Sequence, residues 1–234
     1  MSGRQIVLDT ETTGLNARLG DRIIEIGCIE LLSRRVTERH YHVYLNPERD
    51  IEEGAAKVHG LTREFLADKP RFADVAKEFL DYIQGAELII HNADFDVEFL
   101  DAELARAKLG PVAQHAGSIV DTLAMARELH PGRRNSLDAL CERYAVDNAH
   151  RSLHGALLDA RLLAEVYLAL TRGQESLIME LESSAATSTA EFRIDATGLA
   201  VLRANADELA AHEQLLDAID KVAKGGSVWR RAQA

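Results

Sequence analysis

The sequence predicts an α/β fold: a mixed β-sheet with flanking helices, followed by a helical tail on a flexible tether. Three observations predict it. Segments rich in β-branched and aromatic residues crowd the start of the chain. Strand and helix patterns alternate from Arg71 onward. The composition then turns small and polar in "ESSAATSTA" (Glu182–Ala190), before a last amphipathic stretch. Strands first and alternation afterwards describe a layered α/β domain with a mixed sheet. With 234 residues, 47% of them hydrophobic, the chain can bury one large core and still carry an appendage.

The elements follow in order. "RQIVLDTE" (Arg4–Glu11) has the apolar run of a buried strand. "RIIEIGCIELL" (Arg22–Leu32) and "RVTERHYHVYLNP" (Arg35–Pro47) predict two more, and "LLSRR" between them suits a hairpin. In "RFADVAKEFLDYIQG", Phe72, Val75, Ala76, Phe79, Leu80 and Ile83 recur at helical spacing, with Gly85 as the stop. "AELIIHN" is a short strand. "ADFDVEFLDAELARAKLG" predicts a helix with Phe95, Phe99 and Leu100 on its apolar side and Gly110 at its end. "SIVDT" is strand and "LAMARELHPG" helix. "NSLDALCERY" is a helix capped by Asn135 or Ser136, and "GALLDARLLAEVYLALT" (Gly155–Thr171) is strongly amphipathic. In "NADELAAHEQLLDAIDKVAK" (Asn205–Lys224) an apolar seam runs through Leu209, His212, Leu215, Leu216 and Ile219.

Charge and cysteine content narrow the function classes. The formal net charge is −11. A free-standing nucleic-acid binder usually has the opposite sign. Any such role therefore works through a local site, bound cations or a partner. No apolar run approaches the ~18 residues of a membrane span. "MSGRQIVLD" lacks the apolar core of a secretory signal. Cys28 and Cys141 show no metal-ligand spacing, so a reduced, cytoplasmic protein with no membrane association is expected.

The chemistry is carried by acids at the ends of elements. Asp9 and Glu11 stand two apart on a strand and share a face. Like charges so placed repel unless a cation lies between them. "HNADFDVEF" (His91–Phe99) puts Asp94 and Asp96 in the first turn of a helix that Asn92 can cap, where the helix dipole alone would favour acids. His154 and Asp159 lie about 140° apart on a continuous helix. They converge only if His154 sits in the loop before it, which Gly155 permits. Asp121 in "VDT" reads as a turn or cap partner. Separated carboxylates of this kind suit two hard cations that clamp a scissile phosphate, with a neutral His to accept a proton.

"DTETTG", "HNADFD" and "HGALLDA" resemble the three motifs of the DEDD exonucleases: Asp-x-Glu, Asn-x-x-Phe-Asp and His-x-x-x-x-Asp. The His marks the DEDDh branch. "RIIEIG", "KVHGLT", "GAELIIHN" and "PGRRNSLDALCERY" add similarity to the proofreading 3′→5′ exonuclease subunits of bacterial replicative DNA polymerases, over roughly Gln5 to Leu170. The resemblance implies an RNase H-like mixed five-stranded sheet. It implies that Asp9, Glu11, Asp96 and Asp159 hold two divalent metal ions, Mg²⁺ or Mn²⁺, and that His154 is the general base. Glu11, Thr12, Leu15, Val58 and His59 fall where the family lines the pocket for the 3′-terminal nucleotide, and the Thr12–Gly14 turn is expected to offer backbone N–H groups to that end. Asp94 has no counterpart, and Phe95 reads as core. In one departure, Gly54 stands where some relatives have an acid; the neighbouring Glu53 is offset by one residue and is left out of the site.

The domains expected from this are an exonuclease domain at 1–173, a linker at 174–190 and a polymerase-docking segment at 191–234. Gln174, Leu177, Ile178 and Met179 resemble a clamp-binding peptide, and Trp229 lies beyond the flexible Gly225-Gly226-Ser227. The partners implied are a DNA 3′ end, the polymerase catalytic (alpha) subunit through the C-terminal segment, and the sliding clamp. Two alternatives stay open: an RNA-trimming enzyme of the same branch, and a non-catalytic adaptor built on the same fold. A trimmer has no use for a docking tail, and an adaptor has no reason to keep four acids and His154.

Overall fold

A computed structural model of the chain describes residues 3–149, 153–172, 204–222 and 229. The chain divides into two units, Met1–Glu182 and Ser183–Ala234. The first holds β1 (Arg4–Thr12), β2 (Ile23–Leu32), β3 (Arg35–Tyr44), the short helices α1 (Glu53–His59) and α2 (Arg63–Leu66), α3 (Phe72–Ile83), β4 (Glu87–Ile90), α4 (Ala93–Arg106), β5 (Ser118–Asp121), α5 (Thr122–Leu129), α6 (Leu137–Tyr144) and α7 (Ala156–Leu170).

The strands form one five-stranded mixed sheet in the order β3-β2-β1-β4-β5. β1 pairs antiparallel with β2, and β2 with β3, while β1–β4 and β4–β5 are parallel. A tight turn joins β2 to β3. Its Ser33 and Arg34 both take positive φ, 50° and 60°, which matches the twist of a two-residue hairpin.

Alternation along β1 sends its side chains to two separate cores. Ile6 and Leu8 pack with Phe72, Phe79, Phe99 and Leu104 of α3 and α4. Val7 faces the other way, with Leu140, Leu163 and Val166 of α6 and α7. Each large buried side chain of this kind contributes about 1.5–3 kcal/mol. Burial therefore fixes the register of β1, and with it the directions of Asp9, Thr10 and Glu11 beyond.

The structure corrects two local expectations, at Gly110 and Asn92, and decides between Asn135 and Ser136. α4 ends at Arg106, short of Gly110, because Lys108 turns the chain with a φ of 60°. Asn92 precedes α4 in the left-handed conformation (φ 67°), and its side chain makes no capping bond; its backbone N–H instead donates to Asp121 Oδ1 at 3.1 Å. Ser136, not Asn135, caps α6.

In the second unit, α8 spans Ala206–Val222. Along its expected seam Leu209, His212, Leu215 and Ile219 are exposed and Leu216 is buried. The linker and the clamp-like stretch fall at 174–190, outside the described residues. Among the described residues, no helix is long and apolar enough to cross a membrane.

Candidate active site

The site forms at the carboxyl ends of β1 and β4, where the two layers of helices meet. Asp9 and Glu11 continue the face of Val7, toward α7. Thr10 points the other way, toward α4, and donates to Asp96 Oδ1 at 2.7 Å. Asp96 belongs to the first turn of α4, which the turn at Asn92 launches straight from β4. Asp94 in the same turn is exposed, whereas Asp96 is 4% exposed.

α7 brings the remaining groups. Gly27 of β2 stands opposite Asp9 in the sheet. A Cβ there would meet the backbone carbon of Ala156 at 2.2 Å, so the first turn of α7 rests on bare strand backbone. That approach delivers Asp159, which is 3% exposed, beside Glu11. His154 lies before the helix, which begins at Ala156 after an extended Gly155. Its Nδ1 is 3.4 Å from Asp159 Oδ2, and its backbone N–H donates to Val58 O at 3.1 Å. One ligand atom each from Glu11, His154 and Asp159 lie within 4.8 Å of one another.

Asp9, Glu11, Asp96, His154 and Asp159 line one cavity of about 680 Å³. Burial pushes the Asp96 carboxyl up to about 7, against the pull of the Thr10 hydrogen bond and with a further push from Asp121. Asp96 has no cationic partner among the described residues. Burying acids together in this way is costly unless a cation joins them. The oxygen-rich set, with one imidazole at its edge, fits hard divalent ions.

Of the expected nucleotide-pocket residues, Glu11 lines this cavity, whereas Thr12, Leu15, Val58 and His59 are not in its lining. Leu15 is 81% and Val58 44% exposed, while Thr12 and His59 are buried. Thr12 Oγ1 donates to Gly14 O, and burial pushes the His59 imidazole below its ordinary value. The backbone N–H of Thr13 is already bonded to Arg22 O at 2.9 Å, so it is not offered to a ligand as expected. The loop is tied instead by buried Asp21, which accepts from Thr13 Oγ1 and from the Asn16 N–H. Glu53 is exposed and paired with Lys57, and a Cβ at Gly54 would meet open space. Asp121 caps α5 by accepting from the N–H groups of Leu123 and Ala124.

Sequence reasoning missed Thr10, Gly27 and two basic residues in the cavity lining, Arg127 and Arg133. Gly27 carried a signal: a glycine amid β-branched strand residues marks a close backbone approach. Arg133 stands in the quoted stretch "PGRRNSLDALCERY", but nothing there marks it as lining the cavity, and Arg127, a basic residue in the last turn of a helix, carried no signal.

Acids from β1, α4 and α7 converging beside a histidine, on this sheet, define a nuclease of the exonuclease class. The Exonuclease (RNase T) family matches residues 6–167, and the chain belongs to that family. At the level of individual proteins, it is 52% identical to the DNA polymerase III subunit epsilon of Salmonella typhimurium, over 97% of both chains. It is 51% identical to that of Escherichia coli K12, again over 97% of both, and 45% identical to that of Rickettsia felis, over 94% and 98%. Among solved structures, exonuclease X in complex with 5′-overhanging duplex DNA aligns with a TM-score of 0.56 and 26% identity, over 72% of this chain and 92% of that one. E. coli exonuclease I bound to single-stranded DNA shares the fold, with a TM-score of 0.65 at 21% identity, over 77% and 43%.

Proposed function

We infer that this chain is the proofreading 3′→5′ exonuclease, the epsilon subunit, of a DNA polymerase III, acting in the cytoplasm on mispaired 3′ ends. The near-full-length similarity to epsilon subunits supports the assignment. The observation that carries the chemistry is the convergence of Glu11, His154 and Asp159 within 4.8 Å, beside Asp9 and Asp96 in one cavity.

Asp9, Glu11, Asp96 and Asp159 would hold two divalent ions, Mg²⁺ or Mn²⁺. When bound, these supply the positive charge that phosphodiester hydrolysis needs at the scissile phosphate. His154 takes the proton from the attacking water, as its exposed position at the cavity edge allows. Asp159, 3.4 Å away, orients the ring. Thr12, Leu15, Val58 and His59 hold the terminal nucleotide on the adjoining side, and the hydrogen bond from His154 to Val58 O ties that pocket to the base. The negative chain binds DNA weakly alone, which suits an enzyme that receives frayed ends from its polymerase.

The nuclease activity belongs to residues 1–173, and 191–234 dock on the catalytic (alpha) subunit. A 3′-mismatched primer tests this reading. The chain should shorten it in Mg²⁺, and faster than a matched primer. Preferential degradation of short RNA would favour the trimming enzyme instead.

A further inference from the structure

Beyond the carboxylates of β1, α4 and α7, the cavity runs toward α5 and α6, where two arginines stand in its lining beside the acid Asp138. Arg127, in the last turn of α5, and Arg133, in the loop before α6, border it. Both are exposed, and neither pairs with a carboxylate among the described residues. Other arginines of the first unit are engaged: Arg4 with Glu30, Arg22 with Glu103, Arg49 with Asp21. Two uncommitted guanidinium groups at one end of an acid-rich cavity are a conspicuous placement in a chain of net charge −11.

The loop that presents Arg133 is firmly built. Gly132 turns it with a φ of 74°, and the Arg133 N–H donates to His130 O. Buried Asn135 donates from Nδ2 to His130 O at 3.3 Å and accepts from Arg143 Nη1 at 3.0 Å, while Arg143 Nη2 bonds Arg134 O at 2.7 Å. Arg127 projects from a regular helix whose N-terminus is fixed by Asp121. Its charge reaches His91 in the same cavity. Burial first, and Arg127 in addition, hold that imidazole below its ordinary value. The backbone that presents both arginines is therefore set in place by the fold.

We propose that Arg127 and Arg133 bind the phosphates on the 5′ side of the scissile one, and so position the substrate strand across the carboxylates. The proposal rests on the nuclease reading above. The terminal nucleotide belongs on the side of Val58 and His59, neither of which is in the lining of this cavity. The strand must leave in the other direction, past the carboxylates, toward α5 and α6. A polyanion crossing that acid cluster needs cations on its far side. Guanidinium groups match phosphate oxygens in geometry and are sequence-blind. That suits an enzyme that must remove any terminal nucleotide.

The test compares two substrates of the full-length chain and its Arg127→Ala/Arg133→Ala variant. One is a single-stranded oligonucleotide. The other is a p-nitrophenyl ester of a nucleoside 5′-monophosphate, which has a scissile phosphate and none on its 5′ side. The ratio of kcat/KM on the oligonucleotide to that on the ester should fall by roughly tenfold or more in the variant. For the oligonucleotide, the slope of log KM against log salt should shrink by about 1.4, the value for two lost phosphate contacts on a single strand. Arg127→Lys/Arg133→Lys, which keeps both charges, should restore most of that slope. An unchanged ratio and slope overturn the proposal, including the case where both substrates lose activity equally. Failure of the nuclease reading itself looks different: the unmodified chain would then hydrolyse neither substrate in Mg²⁺ or Mn²⁺.

Discussion

Gly27 and Ala156 touch backbone to backbone. A Cβ on Gly27 would stand 2.2 Å from the Ala156 carbonyl carbon, on the face of the sheet that carries Asp9. This contact sets how near α7 comes to β1, and hence whether Asp159 reaches Glu11. Gly27→Ala should force the helix outward, because no flexible side chain is there to yield. Overpacking of this kind costs about 1–3 kcal/mol. The hydrolysis rate should fall at least tenfold, together with a lower Tm, since small displacements at a reacting centre are costly. A variant with the parent's rate would show that the close approach does not position the site.

Asp96 gives a pH dependence with a definite sign. Its carboxyl ordinarily titrates at 3.8, and burial in the folded chain pushes it up to about 7. Between those values the folded state binds more protons than the unfolded one. The contribution of Asp96 to metal-free stability therefore falls as pH rises through that window. Asp96→Asn should remove this component and raise the metal-free Tm at about pH 8, while hydrolysis is lost. Calorimetry in EDTA across the window decides the point; matching pH profiles for parent and variant would contradict it.

His154 stands close enough to Glu11 and Asp159 to act as either a base or a ligand. The proposed role is base. His154→Ala should lower kcat by about 10²–10⁴, with a much smaller effect on metal affinity. Titration of the variant with Mn²⁺ by calorimetry separates the roles. A loss of Mn²⁺ binding as large as the loss of rate would make His154 a ligand.

Much of this was legible in the sequence where residues act through period or motif. β1, β2, α3 and α7 declare themselves through apolar spacing, because burial on one face imposes it. Asp9, Glu11, Asp96, His154 and Asp159 stand in motifs, and the structure brings all five to one cavity. α1 and α2 were not legible: each buries a single residue, His59 or Leu66, which leaves no period to read. Of the N–H groups expected of the Thr12–Gly14 turn, that of Thr13 is taken, because its partner, Arg22, becomes a neighbour only once the β1–β2 pairing forms. Thr10, Arg127 and Arg133 matter through where the fold places them: Thr10 and Arg133 lie in quoted motif stretches, but their neighbours across the cavity come from distant parts of the chain.

The C-terminal unit keeps a large apolar surface in view. Trp229 is 67% exposed, and Leu209, Leu215 and Ile219 on α8 are exposed as well. Burying a tryptophan removes ~150–250 Å² from water, worth ~4–6 kcal/mol before ordering costs. A chain ending at Leu181 should keep its nuclease activity and lose binding to the polymerase catalytic subunit. Trp229→Ala should weaken that binding and leave catalysis alone. Co-purification of the shortened chain with the polymerase would locate the docking surface elsewhere.

The central claim is that the acids gathered around β1 make a metal-dependent exonuclease that acts on mispaired 3′ ends. Its most direct measurement is the shortening of a 3′-mismatched DNA primer by the parent chain and by Asp9→Ala, with Mg²⁺ and with EDTA. The parent should remove 3′ nucleotides stepwise in Mg²⁺ alone, and Asp9→Ala should show no hydrolysis above background although it remains folded. Near-normal Mg²⁺-dependent shortening by Asp9→Ala, or equal shortening by the parent in EDTA, would contradict it.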